Sequence, residues 1–179
     1  MLSLAPLALD SIMLDEVRAF LRVDVDMDDS SLASSLLAAL GYAEQFTGQI
    51  LLRRTVTEIV TSGGGWQILK ALPVQSVLSV TALPAEGASY LMAPSAWEAK
   101  ISSTGEGYFR VLQPGNAGRV AVACHAGLVA DWTSLPEALR MGVLRLAGYF
   151  YAHRDGAEGD GPPAAALALL RPWRRMHVA

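Results

Sequence analysis

Residues 29–60 read DSSLASSLLAALGYAEQFTGQILLRRTVTEIV, and the spacing of the apolar positions changes in the middle of this stretch. Before Gly48, Leu32, Leu36, Leu40, Ala43 and Phe46 recur at helical spacing, with Asp28 or Asp29 as N-cap and Gly48 as the C-terminal stop. After it the chain runs in short segments rich in Val, Thr and Ile, the composition of strands. Helix therefore gives way to sheet within a few residues. This predicts an α+β fold: a small helical bundle with an inserted antiparallel β-rich region.

Upstream, Leu14, Val17, Phe20 and Leu21 fall on one face of a helix predicted over Ser11 to Leu21, with Asp15 and Glu16 toward its positive end. The two helices form a hairpin over residues 11–48. Downstream, TVTEIV, WQILK, VLSVTAL, SYLM, WEAKI, YFRVL and RVAVAC are separated by SGGG, PAEG, STGEG and QPGNAG. Strands this short, about ten residues apart, suit an antiparallel meander or sandwich over residues 51–125. Helix returns over 134–154, where Ser134 and Glu137 have capping-box spacing and Pro136 costs little in the first turn. Its stripe of Leu139, Val143, Leu146, Ala147 and Phe150 should face the first helix pair. Residues 155–163, DGAEGDGPP, read as a flexible linker. A short helix, AAALALL, and a basic tail complete residues 164–179, the helix stopping before Pro172. The whole, 1–179, reads as one domain without internal repeats.

With 52% hydrophobic and 17% charged residues, the chain can bury a core and falls outside the disordered class. A net charge of -3 argues against a protein that coats nucleic acid through one large basic surface. The single Cys124 excludes an intramolecular disulfide and a multi-cysteine metal knuckle, and fits synthesis in a reducing cytoplasm. The apolar leader MLSLAPLALDSIML lacks a basic n-region, and Asp10, Asp15 and Glu16 interrupt it. It reads as untargeted, with no membrane span.

Motifs with chemical content are few. Asp24, Asp26 and Asp28 have the spacing of the first three ligands of a calcium loop, but Asp29 and Ser35 stand where the loop needs Gly and Glu. An N-capping acidic loop is the reading adopted. Cys124 and His125 adjoin on a strand, so their side chains point to opposite faces and do not form a nucleophile and base. Neither His153 nor His177 comes with a nucleophile elbow that would make a triad with Asp131 or Asp155. SGGGW and GNAG lack the Lys and Ser/Thr of a phosphate loop, and the four tryptophans are not interleaved with basic residues. No catalytic, cofactor or metal residues are assigned. A small enzyme using Cys124 or a histidine is an alternative reading.

The C-terminal tail carries more information. Arg171, Arg174 and Arg175 surround Trp173, and Trp and Arg are enriched at binding hot spots, so the segment is either a docking element or a solvated tail. Seven acidic residues lie between Asp10 and Asp29, whereas the last nine residues contain no acid. Opposite charge at the two ends suits head-to-tail contacts or two different partners.

The order VRAFLRVDVDMDDSSLASSLLAALGYAEQFTGQILLRRT, LPVQSVLSV, LPEALRMGVLRLAGYFYAHRD, LLRPWR resembles the head-tail connector (adaptor) proteins of long-tailed phages and gene transfer agents. The resemblance covers most of the chain and implies a helical bundle with a β insertion. It also implies a structural virion subunit at the head-tail junction, in a ring commonly of twelve copies. Such a ring connects the portal protein to the stopper and keeps a channel open for DNA, which passes without specific binding. By the same resemblance, portal contact falls to Leu170, Arg171, Trp173, Arg174 and Arg175. Another tail-completion or stopper component is a second alternative. The apolar leader before Ser11 departs from the family's common pattern.

Overall fold

A computed structural model describes residues 1–23, 28–154 and 161–175. Residues 155–160 of the linker expected over 155–163, Asp24 and Asp26 of the acidic loop, and His177 lie outside the described residues. The chain folds as two compact units, a β unit of Met1–Pro6 and Leu52–Ala130 and a helical unit of Leu7–Leu51 and Asp131–Ala179. The expected α+β class, with helices at both ends and an antiparallel insertion, is what the chain adopts.

In the helical unit, α1 (Ser11–Leu21), α2 (Asp29–Thr47), α3 (Glu137–Ala152) and α4 (Ala164–Leu170) pack around Leu32, Leu36, Leu40, Leu139, Val143, Leu146 and Leu170, all buried. Each such side chain contributes roughly 1.5–3 kcal/mol by leaving water. α1 starts at Asp10, whose carboxylate accepts the Met13 amide at 2.8 Å. Its buried face is Met13 and Val17; of the expected stripe, Leu14 and Leu21 are half-buried and Phe20 is exposed. α2 ends as the sequence predicts, with Gly48 in the left-handed region (φ 66°) donating to the Glu44 carbonyl.

The start of α3 corrects the expected capping box. The helix begins at Glu137 with Pro136 at the N-cap and no side-chain cap. Asp131 supplies the turn instead, its Oδ1 accepting the Ser134 amide at 2.9 Å and the Thr133 hydroxyl at 2.8 Å. These bonds, the Thr133 hydroxyl's first, hold the Asp131 carboxyl below the usual carboxylate range. Glu137 turns to Arg140 on its own helix. Pro136, with its fixed φ and no N–H, ends the turn and starts the helix.

The β unit holds a five-stranded antiparallel sheet in the order β1-β2-β8-β4-β5 and a three-stranded one in the order β3-β7-β6. The ranges are β1 Leu2–Leu4, β2 Arg54–Thr61, β3 Gln67–Ile68, β4 Val74–Pro84, β5 Tyr90–Leu91, β6 Trp97–Ile101, β7 Gly107–Val111 and β8 Ala117–Ala126. β8 lies between β2 and β4, so the five-stranded sheet is no simple meander. Its inward residues Val120, Val122 and Cys124 alternate with half-exposed neighbours, and Val56 of β2 and Val80 of β4 are buried with them. Gly127 closes the sheet end: a Cβ there would stand 2.4 Å from Arg53 Cα, at a φ of 149° that side chains rarely adopt.

β1 is an element that the sequence reading left out. Part of the apolar leader forms an edge strand on β2, in register Leu2↔Glu58 and Leu4↔Val56, with Ala5 N–H donating to the Thr55 carbonyl at 2.9 Å. Its three residues are exposed, so backbone pairing rather than burial holds it.

Candidate docking surface

The residues that could have supported catalysis are placed for other work. Cys124 is buried, and burial first, then the Glu58 carboxylate, push its thiol up to about 11, so it is protonated at neutral pH. Glu58 is itself buried, and its Oε2 accepts the Lys70 amide at 2.7 Å, tying down the chain after β3. His125 is half-exposed on the opposite side of β8 from Cys124, as the alternation predicts. His153 caps α3, its Nδ1 2.8 Å from the Tyr149 carbonyl and its ring stacked on that of Tyr149. Asp28 is fully engaged within the fold. It takes a bond from the Ser31 hydroxyl, one from the Tyr151 hydroxyl at 3.1 Å, and a cation from Arg154 at 3.7 Å. The Ser31 bond is the main cause of its lowered pKa. Among the described residues, no group of three His, Cys, Asp or Glu side chains is arranged to hold a metal ion. Nor is any helix among them long and apolar enough to cross a membrane.

The five tail residues singled out in the sequence divide into an anchor and an exposed set. Leu170 is buried at the end of α4, against Gly142 of α3: a Cβ on Gly142 would come within 2.8 Å of Leu170 Cδ2. Its side chain fixes where the tail leaves the helical core. The following 3₁₀ turn, Arg171–Trp173, places half-buried Trp173 beside the C-terminal end of α2. There the Trp173 carbonyl accepts from Gln49 Nε2 at 2.5 Å, and the Arg175 amide donates to the Thr47 carbonyl at 2.8 Å. The Arg174 guanidinium lies 5.7 Å from the centre of the Phe46 ring. Arg171, Arg174 and Arg175 are exposed.

Through Arg175 the tail is therefore docked by its backbone and presents its cations outward. At the end of α2 the Thr47 carbonyl accepts and the Gln49 side-chain amide donates, and the negative end of the helix dipole favours the arginines. The sequence reading missed Thr47 and Gln49, the buried residues that make this seat. Polar residues on either side of the helix-ending Gly48 are its sequence signal.

The acidic end is organised by cations too. Arg18 lies between Asp15 and Asp29, holding Asp29 at 2.6 Å. Trp132, fully buried, donates its indole N–H to Glu16 at 2.6 Å, while Arg140 pairs with the same carboxylate at 3.2 Å. α1 is thereby fastened to the start of α3 by groups far apart in sequence.

The tail, seated on the end of α2 with its arginines exposed, is the candidate docking surface. No protein-family model and no curated protein matches the chain. Solved structures do. A chain from the neck of an empty gene transfer agent particle, computed with C6 symmetry, is 27% identical with a TM-score of 0.79. The match covers 100% of this chain and 97% of that one. A chain of the native gene transfer agent virion matches at 27% identity, with the same coverage and a TM-score of 0.78. A third, from the native neck computed with C12 symmetry, has a TM-score of 0.75 at the same identity and coverage. The chain is a structural homologue of the neck, or connector, proteins of gene transfer agent and phage-like particles.

Proposed function

We propose that the chain is a head-tail adaptor: a structural subunit that forms a ring between portal and stopper around the DNA exit channel of a phage-like particle. The observation that carries this reading is the end-to-end match with neck chains, which spans both the helical and the β unit. A reconstruction of the native neck with C12 symmetry supports a ring, and twelve copies, for this chain as well. A ring subunit needs two different side surfaces that close by rotation, and separate surfaces for the rings above and below.

In this reading the exposed Arg171, Arg174 and Arg175, with Trp173, meet the portal, and Leu170 holds them in place from the core. Trp and Arg side chains whose backbone is already seated lose little further entropy on docking. A subunit with net charge -3 does not grip the DNA that passes through the ring. Free chain is a monomer or a weak oligomer that closes into a ring on its partner.

The test is to delete the gene from the particle-producing genome and image the products by electron microscopy, with the gene added back as control. Full heads without tails, rescued by the protein, are expected; normal tailed particles would remove the adaptor reading. Charge reversal of Arg171 and Arg175 then tests the portal contact. Loss of portal binding with an unchanged melting temperature is the expected result, and retained binding would move the contact elsewhere.

A further inference from the structure

The apolar stripes of α2 and α3 both run past the core. Leu40 and Ala43 on α2, and Leu146 and Ala147 on α3, are buried, but the next member of each stripe, Phe46 and Phe150, is half-buried. Aromatic neighbours join these two into one series of rings. Phe46 lies parallel to Tyr42 with 6.5 Å between centres, Tyr42 meets the Phe150 ring edge to face at 6.2 Å, and Phe150 meets Tyr149 at 5.7 Å. His153, stacked on Tyr149 at 4.3 Å, closes one end. The Arg174 guanidinium, 5.7 Å from the centre of the Phe46 ring, closes the other and makes the series continuous with the tail. All five rings are half-buried. Rings that already order one another lose little entropy on docking, and aromatic and Arg side chains are the types that dominate binding hot spots.

The charges around this series are mainly cationic, in a helical unit that is acidic as a whole. Arg145 is exposed one turn before Tyr149, on the same side of α3, and Arg171 and Arg174 are exposed in the tail. None of these three has an ion-pair partner among the described residues. Acids are scarce. Glu44 is the only one in α2 after Asp29, and its Oε1 accepts the Leu51 amide at 3.0 Å; α3 after Glu137 has none, and neither do residues 161–175. Asp28 reaches the end of α3, where it holds Arg154. Five arginines, at 145, 154, 171, 174 and 175, thus stand against the carboxylates of Asp28 and Glu44.

Nucleic acid is the poorer occupant. Bases stack on open ring faces, and here Arg174 covers Phe46 while His153 covers Tyr149. Ring edges and unpaired guanidinium groups are what is left, and they suit apolar side chains flanked by carboxylates.

We propose that Tyr42, Phe46, Tyr149 and Phe150, with Arg145 and Arg174, bind an apolar, carboxylate-bearing segment of the portal, so that the contact extends from the tail onto α2 and α3. The inference rests on the adaptor reading and deepens it by giving the portal segment its chemistry. Charge complementarity, which the unpaired arginines require of the partner, fixes the orientation, and the rings supply the apolar contact.

Isothermal titration of the full chain into the purified portal of the same particle, at low and high salt, tests it. Wild-type binding is expected to weaken as salt rises. R145E, outside the tail, should weaken binding roughly tenfold or more with an unchanged melting temperature, and Tyr42→Leu should do the same without altering the salt dependence. R119E, on the β unit, should bind as wild type. Should R145E or Tyr42→Leu unfold the chain as judged by circular dichroism, Arg145→Gln and Tyr149→Leu take their places. Wild-type affinity in the folded Arg145 and Tyr42 variants, with binding lost on reversal of Arg171 and Arg175, would overturn the proposal and confine the contact to the tail. Competition by a single-stranded oligonucleotide that R145E abolishes would overturn it in favour of nucleic acid. A wild-type chain that does not bind the portal, while gene deletion still gives heads without tails, would overturn it and leave the neck reading standing.

Discussion

Burial and the Glu58 carboxylate hold the Cys124 thiol protonated to about pH 11, which makes it a small core side chain rather than a nucleophile. Iodoacetamide at pH 8 should leave the native chain unlabelled and alkylate it once unfolded. Because the folded thiol titrates above the ordinary value of 9.0, the stability it contributes is complete below pH 9 and lost as pH rises toward about 11. Denaturant melts across that window should show the decline, and Cys124→Ala should reduce it. Gly142 is the corresponding position in the helical unit. Gly142→Ala forces a methyl against Leu170 and should cost about 1–3 kcal/mol, while Leu170→Ala should cost about 2–5 kcal/mol through the cavity it leaves. Urea unfolding measures both, and a near-neutral Leu170→Ala would mean that α4 does not depend on its anchor.

Among the elements, β1 is the one whose removal has the sharpest consequence. It covers the outer edge of β2 with three registered pairs, although none of its own residues is buried. Deleting residues 1–5 should leave the melting temperature within a few degrees but expose the edge of β2 from Thr55 to Ile59, so aggregation should rise; light scattering during incubation checks this. Unchanged solubility would show that β2 protects its own edge. The tail's main chain is held too, its Arg175 amide by the Thr47 carbonyl and its Trp173 carbonyl by the Gln49 side chain.

At the scale of the whole molecule, two units of opposite charge balance are joined in one chain. At nanomolar concentration the purified chain should sediment as a monomer, because contacts suited to a ring become strong only when many close together. Added salt should weaken any association at higher concentration, since exposed charges are screened within about 10 Å at 0.1 M. A tight ring forming unaided at nanomolar concentration would contradict this account of assembly.

The sequence by itself determined what depends on local spacing. The α2 stripe and Gly48, the seven strand segments between turns, and the opposite faces of Cys124 and His125 were all legible, because side-chain period and left-handed glycines are properties of a few neighbouring residues. The tail was legible as a concentration of Trp and Arg. Only the tertiary structure decided what depends on residues distant in sequence. β8 inserts between β2 and β4, β1 joins the edge through backbone bonds, and Asp131 displaces the expected Ser134–Glu137 box. Leu170 turns inward while the arginines beside it stay exposed, and Thr47 and Gln49 become their seat. Each of these was settled by which main-chain and side-chain groups met across the fold, and no local pattern of hydrophobicity encodes that choice.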